Sequence, residues 1–278
     1  MTQAVLDPGA RSLPRLRVSR WRDTRATGVL LVLALLGLWE ASARFGIVQS
    51  TNWPPFSTVL VTLVAGLGDG ELLPLVLSTL WRMARAYAVG CGIGVSLGFA
   101  IALYRPVRQL LLPTIELLRP IPIPAIIPPL IFLLGLGDAL RIFAVAFACF
   151  FPVALNTIAG VQSVEPVYHQ VARTFGVPRV TALRRVVFPA ALPFILAGLR
   201  TSLGIAFVVT VIAEMIVGNE GLGNYLVTMQ FAMKTSEMYA GIILLTAIAY
   251  LLNRLFVAWE ARAIRWARLV EAMRGEPA

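Results

Sequence analysis

Residues 162–193 read QSVEPVYHQVARTFGVPRVTALRRVVFPAALP, and the character of this stretch governs how the rest of the chain is read. It is basic and semi-polar, carrying Arg173, Arg179, Arg184 and Arg185, yet it lies between two long apolar runs. Gly176 and Pro178 break it into two short helical pieces. Val171, Phe175, Val180 and Leu183 are placed to form an apolar stripe on its surface. A plain connecting loop has no use for that organisation. A docking site for a soluble partner does.

The runs on either side extend the argument to the whole chain. Of 278 residues, 58% are apolar and only 14% are charged, and the mean hydropathy is +0.81. That apolar excess is too large for the core of a soluble domain. The expected fold is an all-α membrane protein with six transmembrane helices, since a helix satisfies its own backbone in lipid. The spans are expected at Gly28–Val48, Arg85–Tyr104, Pro120–Gly137, Ile142–Val161, Phe194–Val217 and Met238–Ala258. Arginines dominate the tail before the first span (Arg11 to Arg25), the turn after the second (Arg105, Arg108, Arg119), the 162–193 loop, and the end of the chain (Arg254 to Arg274). Basic residues accumulate on the cytoplasmic side, so the topology is N-in/C-in. The net charge of +10 is thereby read as topology rather than as nucleic-acid binding. The resulting division is a cytoplasmic basic tail at 1–27, a first transmembrane helix at 28–48, an external segment at 49–78, a core at 79–258 and a cytoplasmic tail at 259–278. Ala41-Ser42-Ala43 resembles a signal-peptide cleavage site, but the preceding tail and apolar run are too long for one. Glu40 and Arg44 also stand one helical turn apart and can pair. The first span is therefore expected to be retained.

Little in the chain could carry chemistry. Lys234 is the only lysine and follows Met233, so no Gly-Lys-Ser/Thr phosphate loop exists. No H-E-x-x-H or G-x-S-x-G occurs. His169 is the single histidine, and Cys91 and Cys149 form no pair, so neither a catalytic residue nor a metal site is expected. Gly90, Gly94 and Gly98 recur every four residues, a spacing that admits close helix packing and also suits a sliding surface. Five prolines between Pro120 and Pro129 make the third span irregular at its start. Irregular backbone at membrane depth survives only where protein or water satisfies it. Pro122 and Pro124 are thus candidates for a translocation path, with a structural role in membrane entry as the other reading. Asn156, Thr157, Arg200 and Glu214 are the remaining polar candidates inside spans. Arg200 either faces the path or snorkels to the inner interface, and Glu214 either lines the path or pairs structurally.

At these residues the chain resembles the permease subunits of binding-protein-dependent ABC importers. Their loop signature is Glu-Ala-Ala, three residues, Gly, nine residues, then Ile-x-Leu-Pro. Here Gln170-Val171-Ala172, Gly176 and Val186-Val187-Phe188-Pro189 stand at that spacing. Ala172, Gly176 and Pro189 match, whereas Gln170, Val171, Val186 and Phe188 differ. Arg119-Pro120-Ile121-Pro122, Pro128-Pro129-Leu130, Leu155-Asn156-Thr157, Ala213-Glu214 and Gly221-Leu222-Gly223 are similar to the sulfonate/taurine/nitrate branch.

The resemblance implies the type I ABC importer permease fold in the bacterial cytoplasmic (inner) membrane. It implies a path for a small solute such as a sulfonate, taurine, nitrate or bicarbonate. It implies partners: two copies of an ABC ATPase subunit, a second permease subunit, taken as a second copy of this chain, and an extracytoplasmic substrate-binding protein. ATP and Mg would sit on the ATPase, with no cofactor on this chain. Gln170, Ala172, Arg173, Gly176, Val177, Pro178 and Pro189 would couple this chain to that ATPase. The alternative is a self-sufficient secondary transporter or channel, which polar groups in the later spans would serve. Such carriers often show inverted repeats, and none is evident between the two halves.

Overall fold

The computed structural model describes residues 24–48, 52–218 and 220–264, in two units, 1–50 and 51–278. All regular structure among the described residues is helical. The first unit contains α1 (Thr24–Arg44), whose Val29, Leu30, Leu31, Leu33, Leu35 and Leu38 are all exposed. A helix apolar on every side belongs in lipid. Arg44 Nε donates to Glu40 Oε1, the pairing expected from their spacing.

The second unit holds α2 (Phe56–Gly68), α3 (Leu72–Leu103), α4 (Arg105–Leu118), α5 (Ile123–Leu134), α6 (Asp138–Gln162) and α7 (Pro166–Thr174). After α7 come α8 (Arg179–Ala182), a π-helical turn (Leu183–Val187), α9 (Phe188–Val217), α10 (Leu222–Phe231) and α11 (Thr235–Ala263). Among the described residues, five helical stretches are long and apolar enough to cross a bilayer: 27–44, α3, α6, the continuous 179–217 and α11. The pair α4–α5 passes the same test only when its halves are taken together, across a bend of 103°.

Helix α6 is the spine, and glycines set its distance from both neighbours. A Cβ on Gly90 would meet the backbone of Ala146, one on Gly94 would meet Phe150 and Val153, and one on Gly98 would meet Ala154 and Thr157. Gly90–Ala146, Gly94–Phe150 and Gly98–Ala154 share one offset, the 56 residues that also separate the hydrogen-bonded Arg82 and Asp138. A constant offset means that α3 and α6 run parallel. The four-residue glycine repeat is therefore the packing surface between them. On the opposite side, Gly160 abuts Ala191 and Phe194, Gly198 abuts Pro152 and Asn156, and Ser202 Oγ donates to the Cys149 carbonyl at 3.0 Å. Partners there run in opposite directions, so α9 is antiparallel to α6. Met83, Ala86, Cys91, Ala144, Cys149 and Phe207 fill the space among the three.

Several expected boundaries shift. Helix α3 begins at Leu72 rather than Arg85. Arg82 and Arg85 donate to Asp138 at 2.9 Å each, so these charges no longer end the apolar run. Pro74 falls in the first turn, where a missing amide is harmless. The segment 49–78 is largely helix among its described residues: α2 with buried Val59, then the opening turns of α3. Helix α2 packs on α11, and Trp53 meets Tyr239 edge to face at 5.9 Å.

The expected third span, Pro120–Gly137, contains only the 12 residues of α5 as helix, about 18 Å at 1.5 Å per residue. That is too short to cross alone. The preceding stretch, expected as a cytoplasmic turn, is the amphipathic α4, whose Ile115 is buried against Ile101, Phe151 and Ile158. The bend falls where Pro120 and Pro122, on either side of Ile121, each lack a ladder donor. Because α3 and α6 are parallel, α4 and α5 together carry the chain from the end of one back to the start of the other.

The glycine contacts give a controlled test. Gly90→Val should lower the thermal midpoint of the purified protein by an amount equivalent to about 1–3 kcal/mol, because its Cβ meets the Ala146 carbonyl at 2.5 Å. Gly92→Val, whose Cβ meets nothing within 4 Å, should leave the midpoint unchanged. Equal effects would exclude close α3–α6 packing as the cause.

Candidate functional sites: an exposed loop and a buried ion-pair cluster

The 162–193 loop is built from two helix ends and a proline. Helix α7 starts after the extended Glu165, with Pro166 in its first turn. It ends in a Schellman motif: Val177 N–H donates to the Ala172 carbonyl at 2.9 Å and Gly176 N–H to that of Arg173 at 3.0 Å. Gly176 has φ +64 with open space around it. Its identity is dictated by backbone conformation, not by crowding. Pro178, extended at ψ 140, caps the next helix.

From Arg179 the chain is helical without interruption for 39 residues, to Val217. The π turn explains how Pro189 is accommodated near the start of this rod. Proline offers no amide and crowds the preceding turn, and the Phe188 N–H reaches back five residues to Leu183 to widen it. Val187 is buried with Val161, Ala191 and Ile195, and Phe188 stacks on Phe99 at 6.0 Å. The loop is thus free at its tip and anchored at its base.

Gln170, Arg173, Val177 and Pro178 are exposed and Ala172 is half-buried. Of the expected apolar stripe, Val171, Phe175 (78% exposed) and Val180 face outward, joined by Val167 and Tyr168. Leu183 does not belong to it. It packs inward against the cluster around Val187.

The path candidates are scattered rather than assembled. Thr157 has no exposed surface, and its Oγ1 donates to the Val153 carbonyl at 2.8 Å. Asn156 is part-buried against Gly198, and its Nδ2 donates to the Pro152 carbonyl at 2.7 Å. Pro122 and Pro124 are exposed at the α4–α5 bend. Arg200 looks away from Asn156, toward α11, where its Nη1 lies 3.8 Å from Glu260 Oε2. It shares a pocket with Asn253 instead. Glu214 is fully buried, so in this structure neither it nor Thr157 lines an open path.

Glu214 is held from every side. Arg82 Nη1 donates to its Oε1 at 2.7 Å, while Thr79 Oγ1 and Gly223 N–H donate to Oε2 at 3.0 and 3.1 Å. The Thr79 hydroxyl in turn accepts from Leu222 N–H at 3.0 Å. The carboxylate therefore sits at the N-terminus of α10, where the helix dipole favours negative charge. A Cβ on Gly221 would collide with the carboxylate, and one on Gly223 with the Val211 carbonyl. Gly221-Leu222-Gly223 and Glu214 are thus one structural unit.

Around them Arg82 also reaches Asp138 and Glu220, and Asp138 takes Arg85 and Arg141 as well. Sequence reasoning found only Glu214 of this cluster. Arg82, Arg85 and Asp138 carried a signal, as charges bordering apolar runs, but their partners lie on other helices.

Removing one member of a buried pair leaves an uncompensated charge and costs about 3–5 kcal/mol. Glu214→Ala and Arg82→Ala should each reduce folded yield and thermal stability on that scale. The double variant should be less unstable than the summed single losses. Strict additivity would show that the pair is not coupled.

Residues 91–266 match the family described as the binding-protein-dependent transport system inner membrane component. The taurine transport system permease protein TauC of Escherichia coli (strain K12) is 34% identical over 248 residues, spanning 87% of this chain and 90% of TauC. The aliphatic sulfonates transport permease SsuC of Bacillus subtilis (strain 168) is 29% identical over 239 residues, 86% of this chain and 87% of its own. Among solved structures, an amino acid ABC transporter superposes with a TM-score of 0.59 at 20% identity, covering 73% of this chain and 97% of that one. The chain belongs to the binding-protein-dependent inner membrane component family, as a permease subunit of an ABC importer.

Proposed function

We propose that this chain is the translocation subunit for a small oxoanion, a sulfonate or taurine in the first instance, driven by a separate ATPase docked on the 162–193 loop. The observation that carries the proposal is the exposed apolar face of the 162–193 loop. Phe175, Val171 and Val180 stand in the open beside Arg173 and Arg179, at the end of a segment otherwise bound for lipid. Exposed apolar groups rimmed by charge mark a protein interface. Gln170, Ala172, Arg173, Gly176, Val177 and Pro178 would form the seat of contact, and Pro189 would set the flexure behind it.

In the proposed assembly, a second copy of this chain, two ATPase subunits carrying ATP and Mg, and an extracytoplasmic binding protein would join it, a reading supported by membership of the binding-protein-dependent family. Residues 79–258 act as the core. Six crossings, N-in and C-in, agree with the parallel α3 and α6, which need α4–α5 as one crossing between them. They also place the arginines of the 162–193 loop inside, where basic residues accumulate.

In mechanism, ATP supplies the free energy on the partner, and this chain supplies a path with two arrangements. A ligand shifts such an equilibrium only through differential affinity for its states. The ATPase pair would do so through α7. The Schellman end and Pro178 join α7 to the 179–217 rod, and the rod bears Arg200 and Glu214 along its length. Movement at the loop would thereby reach both the pocket beside Arg200 and the ion pairs at the far end.

Affinity purification in mild detergent should recover an ABC ATPase at about one copy per permease. Gly176→Arg should leave the chain in the membrane yet abolish ATP-dependent uptake of taurine or ethanesulfonate. Normal uptake by that variant, or a transport-competent chain purified without any ATPase, would overturn the proposal.

A further inference from the structure

The pocket between α9 and α11 has a composition that a lipid-facing crevice does not need. Leu203, Gly204, Phe207 and Val208 line it from α9, Ala249 and Leu252 from α11, and Arg200 and Asn253 supply its only side chains with strong hydrogen-bond donors. Its volume is about 220 Å³. The Arg200 side chain is 48% exposed, and its one ionic contact among the described residues engages Nη1 with Glu260 at 3.8 Å. Nε and Nη2 are left over, the edge of a guanidinium that binds an oxoanion with two parallel hydrogen bonds. Asn253 is exposed and makes no side-chain hydrogen bond among the described residues, so its amide N–H groups are available too. A charged group this far along an apolar helix faces a bundle interior or a watery cavity.

From these groups we infer that the α9–α11 pocket is a binding subsite for a small organic oxoanion with a short apolar body. Arg200 and Asn253 take the oxoanion head, and Leu203, Phe207 and Leu252 cover the body. Glu260 competes for the same guanidinium, which keeps the site weak. A transport site must be weak enough to release what it binds. The inference rests on the oxoanion-importer assignment above and narrows it to one place in the chain.

Gly204 makes the test clean, because a Cβ there meets nothing within 4 Å. Gly204→Val should fill the pocket without disturbing the packing. The full chain, in phosphatidylcholine nanodiscs with whatever ATPase co-purifies, is titrated with ethanesulfonate and followed by saturation-transfer NMR of the ethyl protons.

Saturable millimolar binding is expected. It should weaken at least about tenfold in both Arg200→Gln and Gly204→Val, recover in part in Arg200→Lys, and be absent for 1-propanol. The inference is overturned if wild-type protein shows no saturable binding, or if both variants bind as wild type does. It is also overturned if phosphatidylglycerol in the disc displaces ethanesulfonate, making the site one for anionic lipid headgroups. The measurement needs no ATP hydrolysis. Loss of the ATPase partner would strike the importer assignment and leave this result standing.

Discussion

The parallel contact between α3 and α6 is the constraint from which most of the architecture follows. Glycines at 90, 94 and 98 let two backbones approach so closely that side chains cannot choose another register. Without water to expel, such van der Waals fit is the main attraction available between helices in lipid. Once the two helices are parallel, the chain must travel the full length of the bundle between Leu103 and Asp138. It does so through α4, a proline-broken corner, and α5. The corner that looked irregular in sequence is the geometric consequence of a contact elsewhere.

The same register puts Arg82 beside Asp138, and the end of the antiparallel α9 brings Glu214 to the same place. Charge in a bilayer is tolerated where it is paired, and here each carboxylate collects several donors. The Gly223 amide of α10 completes the shell around Glu214, and the Leu222 amide holds the Thr79 hydroxyl that donates to it. Two glycines then become obligatory, because the chain passes too close to the carboxylate at Gly221 and too close to the Val211 carbonyl at Gly223 for any side chain. A motif spread over residues 214–223 therefore reduces to the solvation of one anion.

Much of this was legible in sequence, for identifiable reasons. The hydropathy of the first, fourth, fifth and sixth spans, the four-residue glycine spacing, and the break at Gly176 and Pro178 are local signals, and each survives in the structure. The start of α3 was not legible, because hydropathy penalises Arg82 and Arg85 one at a time. Their neutralising partners lie 56 and 132 residues away for Arg82. That Arg200 faces Glu260 and Asn253 on α11 was not legible for a related reason. The face it presents depends on how α9 is rotated between α6 and α11, and that is a property of the whole bundle. Leu183 left the apolar stripe because the helix it begins packs its own base into the core.

The unbroken rod from Arg179 to Val217 is 39 residues long, about 58 Å at 1.5 Å per residue. The hydrocarbon layer is about 30 Å thick. A rod standing upright in that layer would extend beyond it by nearly half its length, as a lever whose fulcrum is the glycine-tight seam with α6. With such an arm, a tilt of about five degrees carries one end about 5 Å past the other. A push too small to unpack any helix is enough to exchange one set of end contacts for another.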